Sequence, residues 1–179
     1  VKVTWFAARD TTGFVAKQVE DFNKNGGGKV TIDYQEQGQQ TSDLRDKFVL
    51  VANAKDSAAD MISMDVPYVP EFAAAGWTID VEKVLPSDEK AKFFKGTLDG
   101  ATFSGKLYGV PWFNNGPGLF YRKDLLEQGG FKAPPKTYDE LLEQAKKLQT
   151  PEIAGFSAQM SQTEGGIITW FEYLWGYGG

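Results

Sequence analysis

Residues 1–34 read VKVTWFAARDTTGFVAKQVEDFNKNGGGKVTIDY and contain one complete β-α-β unit. Val1–Phe6 is rich in β-branched and aromatic residues that partly alternate with polar ones, which predicts a strand. Val15–Phe22 carries apolar residues at the spacing of one helix face, and Gly26–Gly28 ends that helix. Val30–Tyr34 alternates cleanly between apolar and polar residues and predicts a second strand.

The same alternation of strands and helices continues outward from this unit as far as Gly76. A second helix is predicted from Ser42, Met61–Met64 is a short apolar strand, and a third helix runs to Gly76. Strands that alternate with helices favour a parallel sheet with right-handed crossovers. The predicted fold class is therefore α/β, with parallel-rich sheets flanked by helices.

Beyond the first lobe, the pattern predicts a crossing point and then the start of a second lobe. Trp112–Gly118 mixes aromatic, Asn, Gly and Pro residues, and we interpret it as the crossing. The predicted division is an N-terminal lobe over residues 1–110, a hinge crossover over 111–118, and the first part of a C-terminal lobe over 119–179. The other predicted elements are helices over Ser87–Leu98, Lys123–Gln128, Thr137–Leu148 and Ile167–Trp175, and strands over Leu107–Pro111, Leu119–Tyr121 and Ile153–Ala158.

Two further expectations concern the core and the extent of the chain. Trp5, Trp170, Phe171 and Trp175 lie on apolar stripes, which favours packing in the core over a role in binding. The last helix leads into a glycine-rich tail with no strand after it. We therefore expect an excerpt of a longer protein, incomplete on its C-terminal side.

Composition excludes several classes of function. The chain has no histidine and no cysteine, which excludes a Ser-His-Asp triad, a cysteine nucleophile, a thiolate metal site and disulfides. Its net charge is −5 and it has no Lys/Arg-rich block, so nucleic acid and anionic membranes are poor partners. No segment reaches the roughly 18 apolar residues of a membrane span. There is no phosphate-binding glycine loop, and we predict neither a cofactor nor a metal.

Five segments, in order along the chain, resemble motifs of the sugar-type solute-binding proteins of ABC importers. Each motif is weak alone, but together they cover nearly the whole chain. The segments are MDVPYVPEFAAAGW (residues 64–77), GKLYGVP (105–111), LFYRKDLL (119–126), PPKTYDEL (134–141) and WFEYLWGYGG (170–179). The resemblance is nearest to trehalose- and maltose-type binding proteins.

This resemblance implies a two-lobe, periplasmic-binding-protein-like fold of type II that closes on its ligand by a hinge motion. It implies capture of a carbohydrate, such as the disaccharides trehalose or maltose, and delivery to the permease subunits of an ABC transporter. The implied location is periplasmic or extracellular, either free or lipid-anchored to the cell surface. Because the family is longer than this chain, a complementary fragment or second chain is expected to complete the fold.

Candidate binding residues follow the three strands of the first lobe. In open α/β sheets, ligands bind beyond the carboxyl ends of the strands. Asp10 and Thr11 follow the first strand, Gln39 and Gln40 the second, and Asp65 the third. Carboxylates, amides and hydroxyls can pair with sugar hydroxyls, and the resemblance implies a ligand-contacting carboxylate at Asp65. The alternatives remain open: helix capping for Asp10, Thr11 and Asp65, and a solvated loop for the glutamines.

Further candidates lie in the hinge and before the last helix. The resemblance implies that Phe113 and Asn115 fall where sugar-binding relatives often carry Tyr and Asp. It also implies that Glu164 and Gly165 belong to a ligand segment of the second lobe, although a carboxylate is also favoured at any helix N-terminus. Trp112 could stack on a sugar ring or pack the hinge.

Two other classes of function compete with sugar capture, namely capture of a different solute and glycoside hydrolysis. The same scaffold could bind a polyol, a peptide fragment or an anion, because a fold does not settle a ligand. An anion would need cations near the strand ends, where Arg9 and Arg45 are the only candidates. A glycosidase would need a carboxylate pair such as Asp10 and Asp65.

Overall fold

A three-stranded parallel sheet organises the first part of the chain. The computed structural model describes residues 1–179. β1 (Lys2–Ala7) lies in the centre, with β2 (Thr31–Glu36) on one side and β3 (Met61–Ile62) on the other. All three strands run the same way, so their carboxyl ends meet at one edge of the sheet. The α/β prediction with a parallel sheet is thereby confirmed.

Three helices connect and extend these strands. They are α1 (Phe14–Asn25), α2 (Thr41–Asn53) and α3 (Val69–Ala74), with a 3-10 turn (Val66–Tyr68) just before α3. Each helix buries part of one face, at Val19 of α1, Leu44 and Phe48 of α2, and Val69 and Phe72 of α3. The chain as a whole divides into two compact units, Val1–Asn115 and Gly116–Gly179. No finding tests the predicted lobe and hinge boundaries, which stay a prediction.

The core of the first unit follows from strand alternation. Trp5 and Ala7 lie on one face of β1 and pack with Val19 of α1, whereas Phe6 is buried from the opposite side. The prediction that Trp5 belongs to the core is confirmed. A second aromatic group joins α2 to α3, where the ring centroids of Phe48 and Phe72 are 4.9 Å apart.

The predicted helix over Ser87–Leu98 is wrong, because the chain breaks it in two. α4 covers Ser87–Lys90 and α5 covers Lys95–Gly100, and Phe94 between them has an extended backbone. A continuous helix would hold Gly96 in its interior, where glycine costs about 1 kcal/mol relative to alanine. The break places Gly96 in the first turn of α5 instead.

A tight hairpin follows α5. β4 (Thr102–Phe103) pairs antiparallel with β5 (Lys106–Leu107) across Ser104 and Gly105. Both turn residues have positive φ, at 48° and 76°, as in the two-residue turns that suit the twist of a hairpin. The predicted tight turn is confirmed, but the strand predicted over Leu107–Pro111 ends at Leu107, before the crossing segment begins.

The second unit is helical. It contains α6 (Lys123–Gln128), α7 (Tyr138–Leu148) and α8 (Glu164–Gly176). The strands predicted over Leu119–Tyr121 and Ile153–Ala158 are not formed, because no neighbouring strand in the chain pairs with either segment.

Local hydrogen bonds set the start of α7. The Thr137 hydroxyl accepts from the backbone N–H of Glu140 at 3.1 Å, and the Glu140 carboxylate accepts from the backbone N–H of Lys136 at 2.6 Å. The predicted cap is thus confirmed, with the glutamate reaching one residue further back than in the usual capping box. At the other end of the unit, the Tyr138 hydroxyl donates to the carbonyl of Glu172 on α8 at 2.9 Å.

Three aromatic side chains of α8 remain outside the core of the described chain. Trp170, Phe171 and Trp175 are 54%, 37% and 66% exposed, so the prediction that they are core residues is wrong for this chain. The reason is that α8 is apolar on all sides and has more apolar surface than its own unit covers. Even so, none of the helices combines the length and the apolar character that crossing a membrane would require.

An ion pair joins α2 to α3 and supports the segment that follows β3. Nε and Nη2 of Arg45 donate to the two carboxylate oxygens of Glu71 at 2.8 and 2.5 Å. The guanidinium also lies 5.6 Å from the centre of the Tyr68 ring. Both charged side chains are about one-third exposed, at 33% and 35%. The pair therefore holds the turn that contains Tyr68 against α2.

We expect Arg45→Lys to lower the free energy of unfolding by about 1 kcal/mol, because lysine cannot bridge both oxygens of Glu71. Urea unfolding followed by circular dichroism measures this change. Arg122→Lys is the matched control, because Arg122 forms the same two-pronged pair with Asp124 on an exposed surface. Equal losses in the two variants would contradict the assignment.

Candidate functional site

The loops after β1 and β2 are tied together at the carboxyl edge of the sheet. The backbone N–H of Arg9 donates to the carbonyl of Gly38 at 3.0 Å. The backbone N–H of Asp10 donates to the carboxylate of Glu36, also at 3.0 Å. The structure therefore brings the predicted residues of the first loop beside those of the second.

Asp10 caps α1. One carboxylate oxygen accepts from the backbone N–H and the hydroxyl of Thr12, at 2.8 and 2.6 Å, and the other accepts from the backbone N–H of Val15 at 2.8 Å. The Thr12 hydroxyl, followed by the Val15 amide, holds the pKa of Asp10 below its usual range. Thr11 is exposed and takes no part in this cap. Asp10 is thus an ionised hydrogen-bond acceptor at neutral pH.

The glutamine loop after β2 is organised by a residue that sequence reasoning did not select. The Asp43 carboxylate accepts from the backbone N–H groups of Gln39 and Gln40, at 3.1 and 3.0 Å. Gly38 makes this possible: its φ is 130°, and a side chain there would collide with Asp43. Gln39 and Gln40 are exposed at the edge of the sheet.

Asp65 follows β3 and begins the 3-10 turn. One carboxylate oxygen accepts from the backbone N–H of Val66 at 2.9 Å. The backbone carbonyl of Asp65 accepts from the backbone N–H of Tyr68 at 3.0 Å. The other carboxylate oxygen forms no hydrogen bond within the chain. Capping therefore uses one oxygen of Asp65 and leaves the second able to accept from a ligand.

An aromatic group lies beside this polar edge. Trp5 makes edge-to-face contacts with Tyr34 and Trp112, with centroid distances of 5.3 and 5.7 Å. The Trp5 indole N–H donates to the hydroxyl of Ser63 at 3.0 Å. Burial, followed by the charge of Glu36, raises the pKa of Tyr34. Sequence reasoning did not select Tyr34, because only the register of β1 against β2 places it beside Trp5.

Trp112 and Phe113 present their rings to solvent. Trp112 packs against Trp5 and is still 54% exposed, so it serves packing and leaves a ring surface free. Phe113 is 72% exposed. The residues around these rings line a cavity of about 200 Å³ formed by Lys92, Phe93, Phe94, Thr97, Pro111, Trp112, Phe113 and Asn114. Asn115, also a predicted site residue, is exposed just after it.

The second unit holds a cavity of about 480 Å³ at the N-terminus of α8, where Glu164 and Trp170 contribute to the lining. Gly165 and Gly166 explain the geometry. A side chain at Gly165 would collide with Gln159, and one at Gly166 would collide with the carbonyl of Ser161. The two glycines therefore let the preceding loop lie across the first turn of α8, and Glu164 faces the resulting hollow.

These arrangements suit an uncharged polar ligand better than a charged one. No group of three or more acidic side chains forms a metal site in residues 1–179. Arg45, one of the two cations near the strand ends, is already paired with Glu71 and Asp46. What remains exposed is a set of hydrogen-bonding groups beside aromatic rings, together with one cation, Arg9.

The comparisons with known proteins decide the family. The family described as bacterial extracellular solute-binding protein matches residues 8–179, nearly the whole chain. The chain belongs to this family of solute-binding proteins. The resemblance drawn from the five motifs is therefore confirmed. The family is one of solute-binding proteins and not of enzymes, and its description places it outside the cell.

Individual relatives agree with the family assignment. A probable ABC transporter-binding protein of Deinococcus radiodurans is 33% identical over 132 residues, which are 70% of this chain and 31% of the relative. Maltose-bound MalE3 of T. maritima is 28% identical with a TM-score of 0.81, covering 99% of this chain and 46% of that one. The sugar-binding protein MalE of Xanthomonas citri is 29% identical with a TM-score of 0.66, covering 83% and 38%.

These likenesses confirm the fold class as a type II periplasmic-binding-protein-like α/β fold. The chain spans less than half of the length of each of these relatives. None of the comparisons tests the individual site residues. The roles of Asp10, Thr11, Gln39, Gln40, Asp65, Phe113, Asn115, Glu164 and Gly165 in binding therefore stay predictions.

We expect Thr12→Val to raise the pKa of Asp10 towards its ordinary value, because the hydroxyl is the largest cause of the depression. A depressed carboxyl pKa stabilises the fold above the unfolded pKa, and that stability is lost as pH falls through the folded pKa. Carboxyl titration by NMR measures the shift. Thr11→Val is the control, because Thr11 does not bond Asp10; a similar shift there would contradict the assignment.

Proposed function

We propose that this chain captures a carbohydrate in a cleft between two lobes and delivers it to the permease subunits of an ABC importer. The proposed ligand is a di- or oligosaccharide such as maltose or trehalose. The proposed location is extracytoplasmic, either free in the periplasm or lipid-anchored at the cell surface. Closure occurs by bending at the segment over residues 111–118.

The observation that carries the proposal is the aromatic group beside the polar edge of the sheet. Trp112 is anchored by its edge-to-face contact with Trp5 and keeps half of its surface exposed. Sugar rings have one or both faces lined by C–H groups, which stack on such indole surfaces, while their hydroxyls need hydrogen-bonding partners in the plane. Asp65 and Gln40 at the strand ends are partners of this kind.

The electrostatics favour a neutral ligand. Arg45 is committed to its acidic neighbours, and Asp10 and Asp65 are acceptors at the edge of the sheet. An anion would meet these two carboxylates with only Arg9 as an exposed cation near the strand ends. A sugar can donate hydroxyl hydrogen bonds to the same carboxylates, and because it is uncharged it meets no electrostatic repulsion from them.

The glycosidase alternative is weakened by the state of Asp10. Glycoside hydrolysis uses one carboxylic acid that is still protonated near neutral pH, which requires a raised pKa. The hydrogen bonds from Thr12 and Val15 shift the pKa of Asp10 in the opposite direction. Product analysis after prolonged incubation with maltose and trehalose tests this alternative, and we expect both sugars to be recovered unchanged.

Similar proteins support both the proposed sugar ligand and the proposed delivery to an ABC transporter. MalE3 of T. maritima was solved with maltose bound, and the Xanthomonas citri protein is a sugar-binding protein. The Deinococcus relative is described as an ABC transporter-binding protein. These are properties of those proteins, and they are the reason that maltose heads the list of ligands to test.

Calorimetric titration against maltose, trehalose, sucrose, glucose and mannitol tests the proposal. We expect saturable binding of a di- or oligosaccharide, and Trp112→Ala should weaken it about tenfold through loss of the stacking surface. Trp175→Ala is the matched control. Trp175 is exposed to a similar extent and also packs on one aromatic ring, that of Phe171, but it lines neither cavity.

Two results would contradict the proposal. Equal weakening in the two tryptophan variants would show that the effect is structural and not specific to the proposed site. If mannitol binds and none of the sugars does, the ligand is a polyol and not a carbohydrate of the proposed class. Asp65→Asn should weaken binding without changing the unfolding midpoint, because the amide oxygen can still cap the turn.

A further inference from the structure

Asn115–Gly116 combines an asparagine with the one residue type that leaves the following backbone nitrogen unshielded. Both residues are exposed and lie outside any helix or strand. The backbone N–H of Gly116 and the side chain of Asn115 form no hydrogen bond within the chain. Nothing in the surrounding structure therefore holds the two groups apart.

An unshielded backbone nitrogen in this position can attack the asparagine side chain. The nitrogen gives up its proton to water or hydroxide and bonds to the side-chain carbonyl carbon. The bond from that carbon to the amide nitrogen then breaks, and the NH2 group takes a proton from water and leaves as ammonia. The product is a five-membered cyclic imide. Water then opens the ring at one of its two carbonyl carbons and leaves either aspartate or isoaspartate. Water is the only co-reactant, and no oxidation or reduction occurs.

We propose that Asn115 is a site of spontaneous deamidation, by attack of the Gly116 nitrogen, that places a new negative charge in the segment over residues 111–118. The product carboxylate only accepts hydrogen bonds, whereas the asparagine amide both donates and accepts them. The isoaspartate form also adds one carbon to the main chain, three residues after Trp112.

A second Asn-Gly pair in the same chain provides an internal comparison. Asn25 is the last residue of α1, and the N–H of Gly26 donates to the carbonyl of Phe22 at 2.7 Å. That hydrogen bond would have to break, and the helix end unwind, before the Gly26 nitrogen could reach the Asn25 side chain. The same dipeptide is therefore protected by structure at one site and unprotected at the other.

A control variant that leaves the fold unchanged is available at Gly116, the residue whose nitrogen reacts. A methyl group added at Gly116 would meet no heavy atom within 4 Å, and Gly116 is absent from the glycines with positive φ. Gly116→Ala should therefore fold normally. Its side chain crowds the nitrogen and restricts backbone rotation, so it should slow the attack without removing the asparagine.

Peptide mapping by mass spectrometry, with enzymatic detection of isoaspartate, tests the proposal on protein held at 37 °C in mildly alkaline buffer. We expect conversion at Asn115 to be several-fold faster than at Asn25 or Asn114, and Gly116→Ala to reduce it to their rate. The intact protein should gain an acidic species that migrates with Asn115→Asp in isoelectric focusing. Equal rates at Asn115 and Asn25, or an unchanged rate in Gly116→Ala, would overturn the proposal.

The effect on ligand capture rests on the proposed function and is measured separately. Aged protein should lose sugar-binding capacity in proportion to its isoaspartate content, while aged Gly116→Ala keeps the capacity of the fresh variant. Constant capacity at high isoaspartate content would overturn this consequence. If fresh protein binds no sugar, the proposed function fails, and the peptide map still decides the deamidation.

Discussion

Parallel pairing of β1 with both of its neighbours is the constraint on which the candidate site depends. Because β2, β1 and β3 run in the same direction, the loops that follow them emerge at one edge. Three segments that are far apart in sequence thus become neighbours. The edge is polar because backbone groups beyond each strand have lost their sheet partners and need others.

Much of that need is met by three carboxylates, two of which, Asp10 and Asp65, are also candidates for binding. Asp10 satisfies amides at the start of α1, Asp43 satisfies those of the glutamine loop, and Asp65 begins the turn after β3. Capping and binding are not exclusive, because a carboxylate offers about four acceptor positions. The cap fixes where the carboxylate lies, so that a ligand does not bear the full entropic cost of ordering it. The acceptor groups at this edge are therefore in position before a ligand binds.

Aromatic surface is distributed differently in the two units. In the first unit Trp5 is buried and holds Trp112 by an edge contact, so an exposed ring is supported by a covered one. In the second unit α8 is apolar on every side and three of its large aromatic side chains face outward. At the start of α8, by contrast, close packing depends on the absence of side chains. Side chains at Gly165 and Gly166 would keep the preceding loop away from the helix.

Sequence by itself determined the α/β class, the parallel direction of the first three strands, the family, and the absence of histidine and cysteine chemistry. These follow from local periodicity, from composition and from ordered motifs, all of which are read along the chain. It also predicted polar residues at the strand ends. It could not show that Asp43 organises the glutamine loop, that Trp5 contacts both Tyr34 and Trp112, or that Phe94 interrupts a helical pattern. Those features depend on which side chains meet across strands and loops, and only the tertiary structure decides such contacts. The failed strands at Leu119–Tyr121 and Ile153–Ala158 have the same cause, because a strand exists only where a neighbour completes its hydrogen bonds.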